Sequence, residues 1–426
     1  MDKKNVLLIA TEYPPAGSSS GVQRILKFSQ YLPLMGWDVS VLSMHPMAYG
    51  KDARFEQIAE IPKSVNVKRA LAFNSSIHFA IKGRYLRYMA LPDRWVSWVF
   101  FGFFSSLRMI RKKRPDVLFS SYPHASAHLL ALLLHRVTSI PWVADFRDPM
   151  LYRNDHLDVL QAKAFNWIER KTMKYCQYAI FTTPGAIEGY AKRHYSNYAK
   201  DKWHLIPNGY AEDNFVLAEQ RCAEEANIRQ QNEMEQPRCL VLVHAGVLYR
   251  AERDPTSFFK AVALLLKQGD IVEGQVKIIL RAPSSEDYYQ NLIAENALEK
   301  VLFIEQKISY QQTLVEMLTV DGLLLFQGSM CNHQIPAKLY EYFRAKKPIF
   351  SLTDPEGDTA ALLCSANVNS MAPLDDVKEI AMQFRIFLKQ LRAGAAPVVS
   401  DAFVVAQSRQ ARTKQLAAVL DSCVGH

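Results

Sequence analysis

Cysteine is scarce in this chain of 426 residues, and it follows no pattern. The six cysteines are scattered, with no Cys-x-x-Cys pair and no spacing typical of a metal site. A small disulfide-stapled domain and a zinc ribbon are therefore excluded as descriptions of the fold. We expect a reduced, cytoplasmic protein that holds no metal.

Long apolar runs and acidic residues are also in short supply. The longest apolar stretch, Trp95–Phe104, contains Ser97 and is far shorter than the roughly 20 residues that span a bilayer. Lys and Arg number 51 against 42 Asp and Glu, a net charge of +9. This excess suits an anionic substrate or an anionic lipid as partner. Nucleic acid is a less favoured partner, because no known binding module is present.

The familiar phosphate-binding motifs are missing as well. The loop from Gly17 to Gly21 is neither GxGxxG nor a P-loop, because no Gly-Lys-Ser/Thr follows it. No Asp-x-Asp follows a predicted strand, so a metal-bridged diphosphate would lack its usual carboxylates. Any phosphate would have to be neutralised by basic side chains and helix dipoles.

What the chain does contain is a regular alternation of strand-like and helix-like runs. Its length fits two α/β domains of roughly 200 residues each, with parallel sheets and crossover helices. The predicted strands of the first half are Val6–Ala10, Val39–Ser43, Asp116–Ser120, Pro141–Asp145, Tyr178–Thr182 and His204–Ile206. Those of the second half are Cys239–Ala245, Val276–Arg281, Val301–Ile304, Gly322–Phe326 and Pro348–Leu352.

Three further segments have a character of their own. Ala218–Arg238 is charged and lacks apolar periodicity, which indicates an inter-domain linker with an insertion. Ser400–Leu420 predicts a basic amphipathic helix. Ile81–Arg114 mixes aromatic with basic residues, a composition found in segments that lie in a membrane interface. A buried helix of the first domain is the alternative for that last segment.

Loops that follow parallel strands are where ligands bind in open sheets. In the first half, Gly17 and Gly21 frame a flexible loop, and Arg24 follows on the next helix. His124 stands where another loop turns into a helix, as a catalytic group or as a structural hydrogen-bonder. A third loop contains three charged side chains, which could bind the hydroxyl groups of a substrate. The first of them, Asp145, could instead accept a proton. These charges are Asp145, Arg147 and Asp148, of which the last two could instead form a structural pair.

The second half has two basic loops of this kind. Gly246 allows close backbone approach after a strand, and Arg250 and Arg253 follow it as candidate phosphate ligands. The stretch His333–Phe350 begins a helix after Pro336 and places Lys338 and Glu341 on its first turns. A helix N-terminus attracts anions, Lys338 adds a full charge, and Glu341 can accept hydrogen bonds from sugar hydroxyls. Solvated surface groups are the alternative in both loops.

These motifs stand in an order that resembles the GT-B glycosyltransferases of family 4 (glycosyl transferases group 1). They are Tyr-Pro-Pro with a glycine loop, Asp-Phe-Arg-Asp, Pro-Asn-Gly, His-Ala-Gly with Arg-Asp-Pro, and Ile-Pro-Ala-Lys-Leu-Tyr-Glu-Tyr. Phe-Arg-Asp resembles a subset whose acceptors are cell-surface or envelope polysaccharides. The chain departs from the family pattern at three positions: His333 replaces the first glutamate, Val247 a basic residue, and Ala211 an acid.

The resemblance implies two Rossmann-like domains that face each other across a cleft. Residues 1–215 would bind the acceptor, 216–400 would bind the nucleotide-sugar, and 401–426 would form a helix that returns to the first domain. It implies a retaining, metal-independent transfer of sugar to an envelope polysaccharide or a lipid-linked oligosaccharide, without a cofactor. Such a protein would be cytoplasmic, with possible peripheral contact at the inner face of the cytoplasmic membrane.

Roles for individual residues follow from the same resemblance. Arg253 and Lys338 would hold the diphosphate, and Glu341 would orient the ribose or the sugar. His124 and Asp145 would line the acceptor side near the anomeric carbon. Two other functions stay open: a sugar-nucleotide 2-epimerase of the same fold, and a non-catalytic scaffold that tolerates the three departures.

Overall fold

The computed structural model of the chain describes residues 3–17, 19–78, 87–151, 158–195, 200–229 and 239–424. The chain divides into two compact units, Met1–Asn208 together with Arg409–His426, and Gly209–Ser408. The first contains a seven-stranded sheet and the second a six-stranded sheet, and every paired strand is parallel to its neighbour. The predicted α/β class with two parallel sheets is confirmed. Both predicted domain boundaries, after residues 215 and 400, fall inside the second unit.

The sheet of the first unit has the strand order β3-β2-β1-β4-β5-β6-β7. Its strands are β1 (Lys4–Ala10), β2 (Trp37–Met44), β3 (Asn66–Ala70), β4 (Val117–Ser121), β5 (Trp142–Phe146), β6 (Tyr178–Phe181) and β7 (Trp203–Leu205). The central strands are almost wholly buried, because helices cover both faces of the sheet. Only β3 was absent from the prediction; three of its five residues are polar, which hides a strand at a sheet edge.

Seven helices accompany this sheet in the described residues. They are α1 (Ser20–Tyr31), α2 (Ser75–His78), α3 (Val96–Lys112), α4 (Ala125–Thr138), α5 (Val159–Tyr175), α6 (Pro184–Tyr190) and, from the end of the chain, α16 (Arg409–Val424). Ser19 caps α1 by accepting a hydrogen bond from the Val22 backbone N–H. The last helix packs against α1, with Leu416 and Leu420 in the core of the unit, so the predicted return to the first domain is confirmed.

The sheet of the second unit has the order β10-β9-β8-β11-β12-β13. Its strands are β8 (Leu240–Ala245), β9 (Val276–Arg281), β10 (Leu302–Glu305), β11 (Gly322–Gln327), β12 (Ile349–Thr353) and β13 (Met371–Ala372). Its helices are α7 (Glu212–Arg229), α8 (Arg250–Arg253), α9 (Thr256–Lys267), α10 (Glu286–Glu295), α11 (Tyr310–Thr319), α12 (Ala337–Ala345), α13 (Asp358–Ser365), α14 (Val377–Arg392) and α15 (Asp401–Ala406). In both units the carboxyl ends of the central strands lead into the loops that the sequence singled out.

The predicted linker Ala218–Arg238 is wrong for its first part. Residues 218–229 belong to α7, and the remainder lies outside the described residues. Ala, Glu, Gln and Arg are good helix formers, and this helix needs only a narrow apolar stripe. Phe215, Ala218 and Cys222 supply that stripe and pack in the core of the second unit. Three apolar residues are too few to be recognised in the sequence as the apolar periodicity of a helix.

The helix predicted over Ser400–Leu420 is two helices, because α15 ends at Ala406 and α16 begins at Arg409. The aromatic segment Ile81–Arg114 contains α3, while residues 81–86 lie outside the described residues. One side of α3 is buried through Trp98, Val99 and Ile110. Its other side is exposed, so neither a wholly buried nor a wholly exposed helix describes it.

Candidate active site

A buried ion pair closes the carboxyl end of β5 in the first unit. The Arg24 guanidinium donates to both carboxylate oxygens of Asp145, from Nε at 3.0 Å and from Nη2 at 2.9 Å. The two side chains are only 2% and 0% exposed. Arg24 also donates to the backbone carbonyls of Ile206 and Pro207, each at 2.9 Å, and Ser121 Oγ donates to Asp145 Oδ2 at 2.9 Å.

This arrangement corrects the expectation that Arg24 and Asp145 face an acceptor. The two charges neutralise each other, and Arg24 also donates to backbone carbonyls. Both side chains are buried, so neither presents a free polar group to a ligand. A guanidinium fork matches a carboxylate in two-point geometry, which favours this pairing once the two groups meet. The pair ties α1 to β5 and to the segment that follows β7.

A second charged cluster lies beside the glycine loop. Arg147 Nη1 donates to Glu12 Oε2 at 2.6 Å, and Arg147 Nε donates to Asp148 Oδ2 at 3.1 Å. Burial opposes the charge of Arg147, but its two carboxylate partners raise its pKa above the ordinary value. Burial likewise raises the pKa of Glu12, and Arg147 outweighs that effect so that the pKa lies below its ordinary value. The structural pairing of Arg147 with Asp148, one of the two sequence-based alternatives, is confirmed.

The same cluster explains Gly21. A Cβ atom added there would lie 1.3 Å from Arg147 Nη1 and 2.0 Å from Glu12 Oε2. Glycine is therefore needed at this position for the space that the ion pair occupies. Gly17 lies against the Asp52 backbone carbonyl, which would be 2.9 Å from an added Cβ.

His124 is half-buried where the loop after β4 enters α4. Its Nδ1 is 2.9 Å from Thr11 Oγ1, and its ring meets the Trp95 indole edge-on with centroids 6.4 Å apart. Burial lowers the pKa of His124, and the carboxylates of Asp93 and Glu12 oppose this only in part. The imidazole is therefore neutral at neutral pH, a state in which it can accept a proton or a hydrogen bond.

The second unit places Lys338 at the carboxyl end of β8. Lys338 follows Pro336 in the first turn of α12, and its Nζ lies 3.1 Å from His244 Nε2. His244 Nδ1 is 2.9 Å from the Leu324 carbonyl oxygen, so Nδ1 carries the proton and Nε2 accepts from the lysine. Gly246, with φ of +105°, brings its backbone to the same point: an added Cβ would be 3.2 Å from Lys338 Nζ. A side chain at Gly246 would therefore be strained by its φ and crowd Lys338, whereas close approach of its backbone to a phosphate stays a prediction.

The surroundings of Lys338 give this side chain an unusually low pKa. Burial, helped by the nearby charge of Arg253 and opposed by Glu341, lowers the pKa of Lys338 to about 7. Burial and the same two cations hold the pKa of His244 well below its ordinary value. An anion placed here would relieve the repulsion between the cations, so the site is built to gain from a negative ligand.

The two arginines after β8 have different neighbours. Arg253 Nε donates to Gln327 Oε1 at 3.1 Å, and Gln327 Nε2 donates to the Cys331 carbonyl at 3.2 Å. The Arg250 guanidinium instead lies 3.7 Å from the centroid of the Tyr288 ring. Of the two, Arg253 shares the neighbourhood of Lys338, and Arg250 stacks against an aromatic side chain of α10.

The remaining donor-side candidates lie on α12 and before it. Glu341 accepts a hydrogen bond of 2.7 Å from the Tyr310 hydroxyl, which fixes the orientation of the carboxylate. His333 is exposed in the loop between β11 and α12. Among the donor-side candidates, Lys338, Gly246 and Arg253 lie close to one another, and Glu341 lies on the same helix as Lys338.

Four residues of these sites were missed from the sequence: Glu12, His244, Tyr310 and Gln327. His244 is polar within the apolar run Val-Leu-Val-His-Ala, and a buried polar residue near a strand end is a detectable signal. Glu12 follows β1 by two residues and could have been found by the same reasoning as the other post-strand charges. Tyr310 and Gln327 give no signal of their own, because only the fold brings them to Glu341 and Arg253.

Comparison with known proteins agrees with the fold described above. Residues 21–214 match the model of Glycosyltransferase Family 4. None of the curated protein sequences compared with the chain matches it significantly. Among solved structures, sucrose-phosphate synthase from Thermosynechococcus elongatus is similar over 99% of both chains, with 13% identity and a TM-score of 0.67.

Two further structures show the range of proteins that share this fold. Anabaena HepE, solved with UDP-glucose, has 13% identity and a TM-score of 0.63, over 98% of this chain and 99% of its own. UDP-GlcNAc 2-epimerase from Methanocaldococcus jannaschii has 12% identity and a TM-score of 0.57, over the same shares of the two chains.

The two parallel-sheet units and these structural likenesses show that the chain has the GT-B fold. Residues 21–214, somewhat less than half of the chain, are similar to Glycosyltransferase Family 4. Residues 21–208 of the matched segment lie in the first unit, and the Lys338 site lies in the second.

Proposed function

We propose that the protein transfers a sugar from a nucleotide-sugar to an acceptor of the cell envelope, a polysaccharide or a lipid-linked oligosaccharide. The observation that carries the proposal is the cationic site at the start of α12, where Lys338 meets His244 and Gly246 and lies near Arg253. The site suits a diphosphate because it combines two cations with a helix N-terminus. HepE, which was solved with UDP-glucose, supports a nucleotide-sugar as the donor class.

The transfer itself breaks the bond between the anomeric carbon and the diphosphate oxygen. In the retaining reaction an acceptor hydroxyl oxygen forms the new bond to that carbon on the same face, and the bonding pair of the broken bond stays on the diphosphate. The acceptor proton passes to an oxygen of the departing phosphate. Lys338 and Arg253 stabilise the charge that develops on this leaving group, so no metal ion is required.

The carboxylate of Glu341 has a different part in this proposal. Tyr310 donates a hydrogen bond to it at the first turns of the same helix that bears Lys338. From there it accepts hydrogen bonds from the hydroxyls of the ribose or the sugar. His333 and Arg250 complete the donor side, and His333 supplies one hydrogen bond where the family pattern has a glutamate.

On the acceptor side we assign His124. It is half-buried, neutral at neutral pH, and held by Thr11 after β1. In this role it accepts a hydrogen bond from the acceptor or from the sugar near the anomeric carbon. Arg147, Glu12 and Asp148 shape the loop around Gly21, and the Arg24–Asp145 pair fixes the strands beneath it.

A cytoplasmic location with peripheral membrane contact completes the proposal, because a lipid-linked acceptor is presented at the membrane surface. Among the described residues, no helix is long and apolar enough to cross a bilayer.

The test of the donor assignment is a thermal-shift series with UDP-, GDP-, ADP- and TDP-sugars in EDTA. A ligand that binds only the folded protein raises its apparent stability, by about 2.7 kcal/mol at a hundred times Kd. We expect a shift with one nucleotide family, and we expect Lys338→Ala to weaken that ligand about 10- to 100-fold, as for other charge-assisted hydrogen bonds. Lys267→Ala, at an exposed lysine of the same unit, is the matched control.

Two outcomes would contradict the proposal. If the donor shift is unchanged in Lys338→Ala, the diphosphate is held elsewhere. If no nucleotide-sugar shifts the protein, the non-catalytic scaffold is favoured, in line with His333, Val247 and Ala211 at the three altered positions.

The alternative enzyme is a sugar-nucleotide 2-epimerase, and the shared fold of the UDP-GlcNAc 2-epimerase is the observation in its favour. An epimerase would convert the sugar of the nucleotide-sugar with no acceptor present. A transferase would leave the donor sugar unchanged until acceptor is added. Analysis of the nucleotide-sugar after incubation with the protein alone separates the two.

A further inference from the structure

We propose that the face of the first unit formed by α3, α4 and α5 binds the surface of an anionic lipid bilayer. This face is called the α3–α5 face below. The inference deepens the proposed function, on which it rests for the location of the acceptor, but it comes from observations outside the donor and acceptor sites. It names the surface of the protein and the chemistry of the lipid.

The three helices form one continuous layer. Helix α3 packs against α4, and α4 packs against α5. Gly102 allows the first of these contacts, because a Cβ atom at this position would lie 2.8 Å from the Leu130 side chain of α4. The inward sides of all three helices share one apolar core, so their outward sides make up a single surface.

The charge of this layer has one sign. The three helices contain eight Lys and Arg residues, and their one acidic residue, Glu169, is fully buried. In the described part of the chain, none of the eight forms an ion pair with a carboxylate. The charges that these three helices expose are therefore all basic, a condition for attraction to anionic headgroups.

Large apolar side chains stand exposed among these charges. Phe100 and Phe104 on α3 are 62% and 49% exposed, and Trp167 on α5 is 50% exposed. Phe100, Phe104 and Arg111 lie on one side of α3, since they are separated by four and seven residues. Lys163, Trp167, Arg170 and Lys174 repeat the arrangement on α5, and all four are exposed.

The exposed aromatic side chains, together with cations that no carboxylate neutralises, indicate which partner this face binds. Basic side chains reach anionic headgroups while aromatic rings enter the boundary between headgroups and acyl chains. A partner that binds through charge alone would not account for the exposure of Phe100 and Phe104. The opposite side of the same unit differs: there, exposed Lys4 on β1 pairs with Asp421 on α16 at 2.7 Å.

The experiment is sedimentation of the full-length protein with vesicles of phosphatidylcholine alone or of phosphatidylcholine mixed with phosphatidylglycerol. We expect binding to the mixed vesicles only, weakened by added salt. The triple variant Arg111→Glu, Lys163→Glu, Lys174→Glu should lose the binding, since each basic residue near an anionic surface contributes about fivefold. Phe100→Ser with Phe104→Ser should weaken it and leave the remainder more sensitive to salt.

Matched controls use equally exposed residues elsewhere. Lys260→Glu, Lys267→Glu and Lys389→Glu reverse three exposed charges in the second unit, and Phe55→Ser removes an exposed phenylalanine of the first unit outside the α3–α5 face. These variants should bind mixed vesicles like the unchanged protein. A donor-induced thermal shift that is the same in all variants shows that they are folded and that the Lys338 site is intact.

Three results would overturn the proposal. The first is sedimentation with mixed vesicles that the two sets of charge reversals weaken equally, which would mean non-specific attraction by the net charge. The second is no binding to mixed vesicles together with self-association that Phe100→Ser and Phe104→Ser abolish, which would assign the face to a second copy of the chain. The third is binding to a single-stranded nucleic acid but not to vesicles. Because the vesicle, self-association and nucleic-acid assays use no nucleotide-sugar, any of these three results leaves the proposed transfer reaction untouched.

Discussion

The candidate binding cations of the two units lie at the same topological position, the carboxyl ends of parallel strands, but their hydrogen-bond partners differ in charge. In the first unit Arg24 pairs with Asp145, and Arg147 pairs with Glu12. In the second unit Lys338 donates to His244, and Arg253 donates to Gln327, both neutral partners. Cations held by neutral groups keep their charge available for an anion, whereas cations held by carboxylates stabilise the fold.

The partner of a charged side chain separates a role in ligand binding from a role in stabilising the fold more clearly than the residue type does. Arginine after a strand looks like a phosphate ligand in either unit when only the sequence is known. The partner of each arginine decides which it is. The following predictions test the contrast, from the largest expected effect to the smallest.

The largest effect is expected from breaking the buried pair of the first unit. Asp145→Ala leaves the Arg24 guanidinium buried without its carboxylate, which should lower the free energy of unfolding by about 3–5 kcal/mol. Chemical denaturation measures this change. The control is Asp421→Ala, which removes the exposed pair with Lys4 and should cost less than about 1 kcal/mol. Similar losses for the two variants would refute the architectural role of the Arg24–Asp145 pair.

A smaller loss is expected at the glycine loop. Gly21→Ala puts a methyl group where Arg147 meets Glu12, so the ion pair has to move, at an expected cost of about 1–3 kcal/mol. Gly189→Ala is the control, because an added Cβ in α6 would have its nearest contact at 3.9 Å and alanine favours a helix. Denaturation midpoints of the two variants give the comparison. Equal stability of Gly21→Ala and the unchanged protein would mean that the pair is not rigid.

Ligand binding by the second unit should depend on pH, because Lys338 titrates near neutral pH. Lys338 has a pKa of about 7 in the protein without ligand, so it is charged below this pH and increasingly neutral above it. A bound diphosphate favours the charged form, and binding above pH 7 must therefore take up a proton. The Kd of a nucleotide-sugar should be constant below about pH 7 and rise above it, by at most about tenfold per pH unit.

Calorimetry in buffers of different ionisation enthalpy measures that proton uptake directly. Lys338→Arg is the informative variant, because a guanidinium stays charged throughout this range. It should bind with a Kd that hardly changes between about pH 7 and pH 9. An unchanged protein with an equally flat Kd and no proton uptake would contradict the proposed titration of Lys338 at the diphosphate.

Much of the fold followed from the sequence alone, for reasons that individual elements make clear. Strands such as Val276–Arg281 were predicted with their observed bounds, because a mainly apolar run, interrupted here by Lys277, has one stable location in a covered parallel sheet. Edge elements such as β3 and β13 were not predicted. They are short or partly polar, and pairing with a neighbour stabilises them more than their own composition does.

For the candidate sites, the sequence identified the loops but not the partners. Lys338, Gly246 and Arg253 were recognised as one donor-side group, and the structure places them near one another. Arg24 and Asp145 were assigned to an acceptor, although they bind each other across 121 residues of sequence. His244, which lies 94 residues from Lys338, was not recognised as its partner.

The sequence by itself determined the alternation of strands and helices, the two parallel sheets, and the loops in which charges gather, because these depend on local periodicity and on which residues can be buried. Only the tertiary structure decided which charges are neutralised and which stay available. Coulomb interactions and hydrogen bonds depend on distances of a few ångströms, and those distances arise only when strands far apart in the chain end side by side. The same reason applies to the α3–α5 face, whose uniform charge belongs to three helices that only the fold assembles.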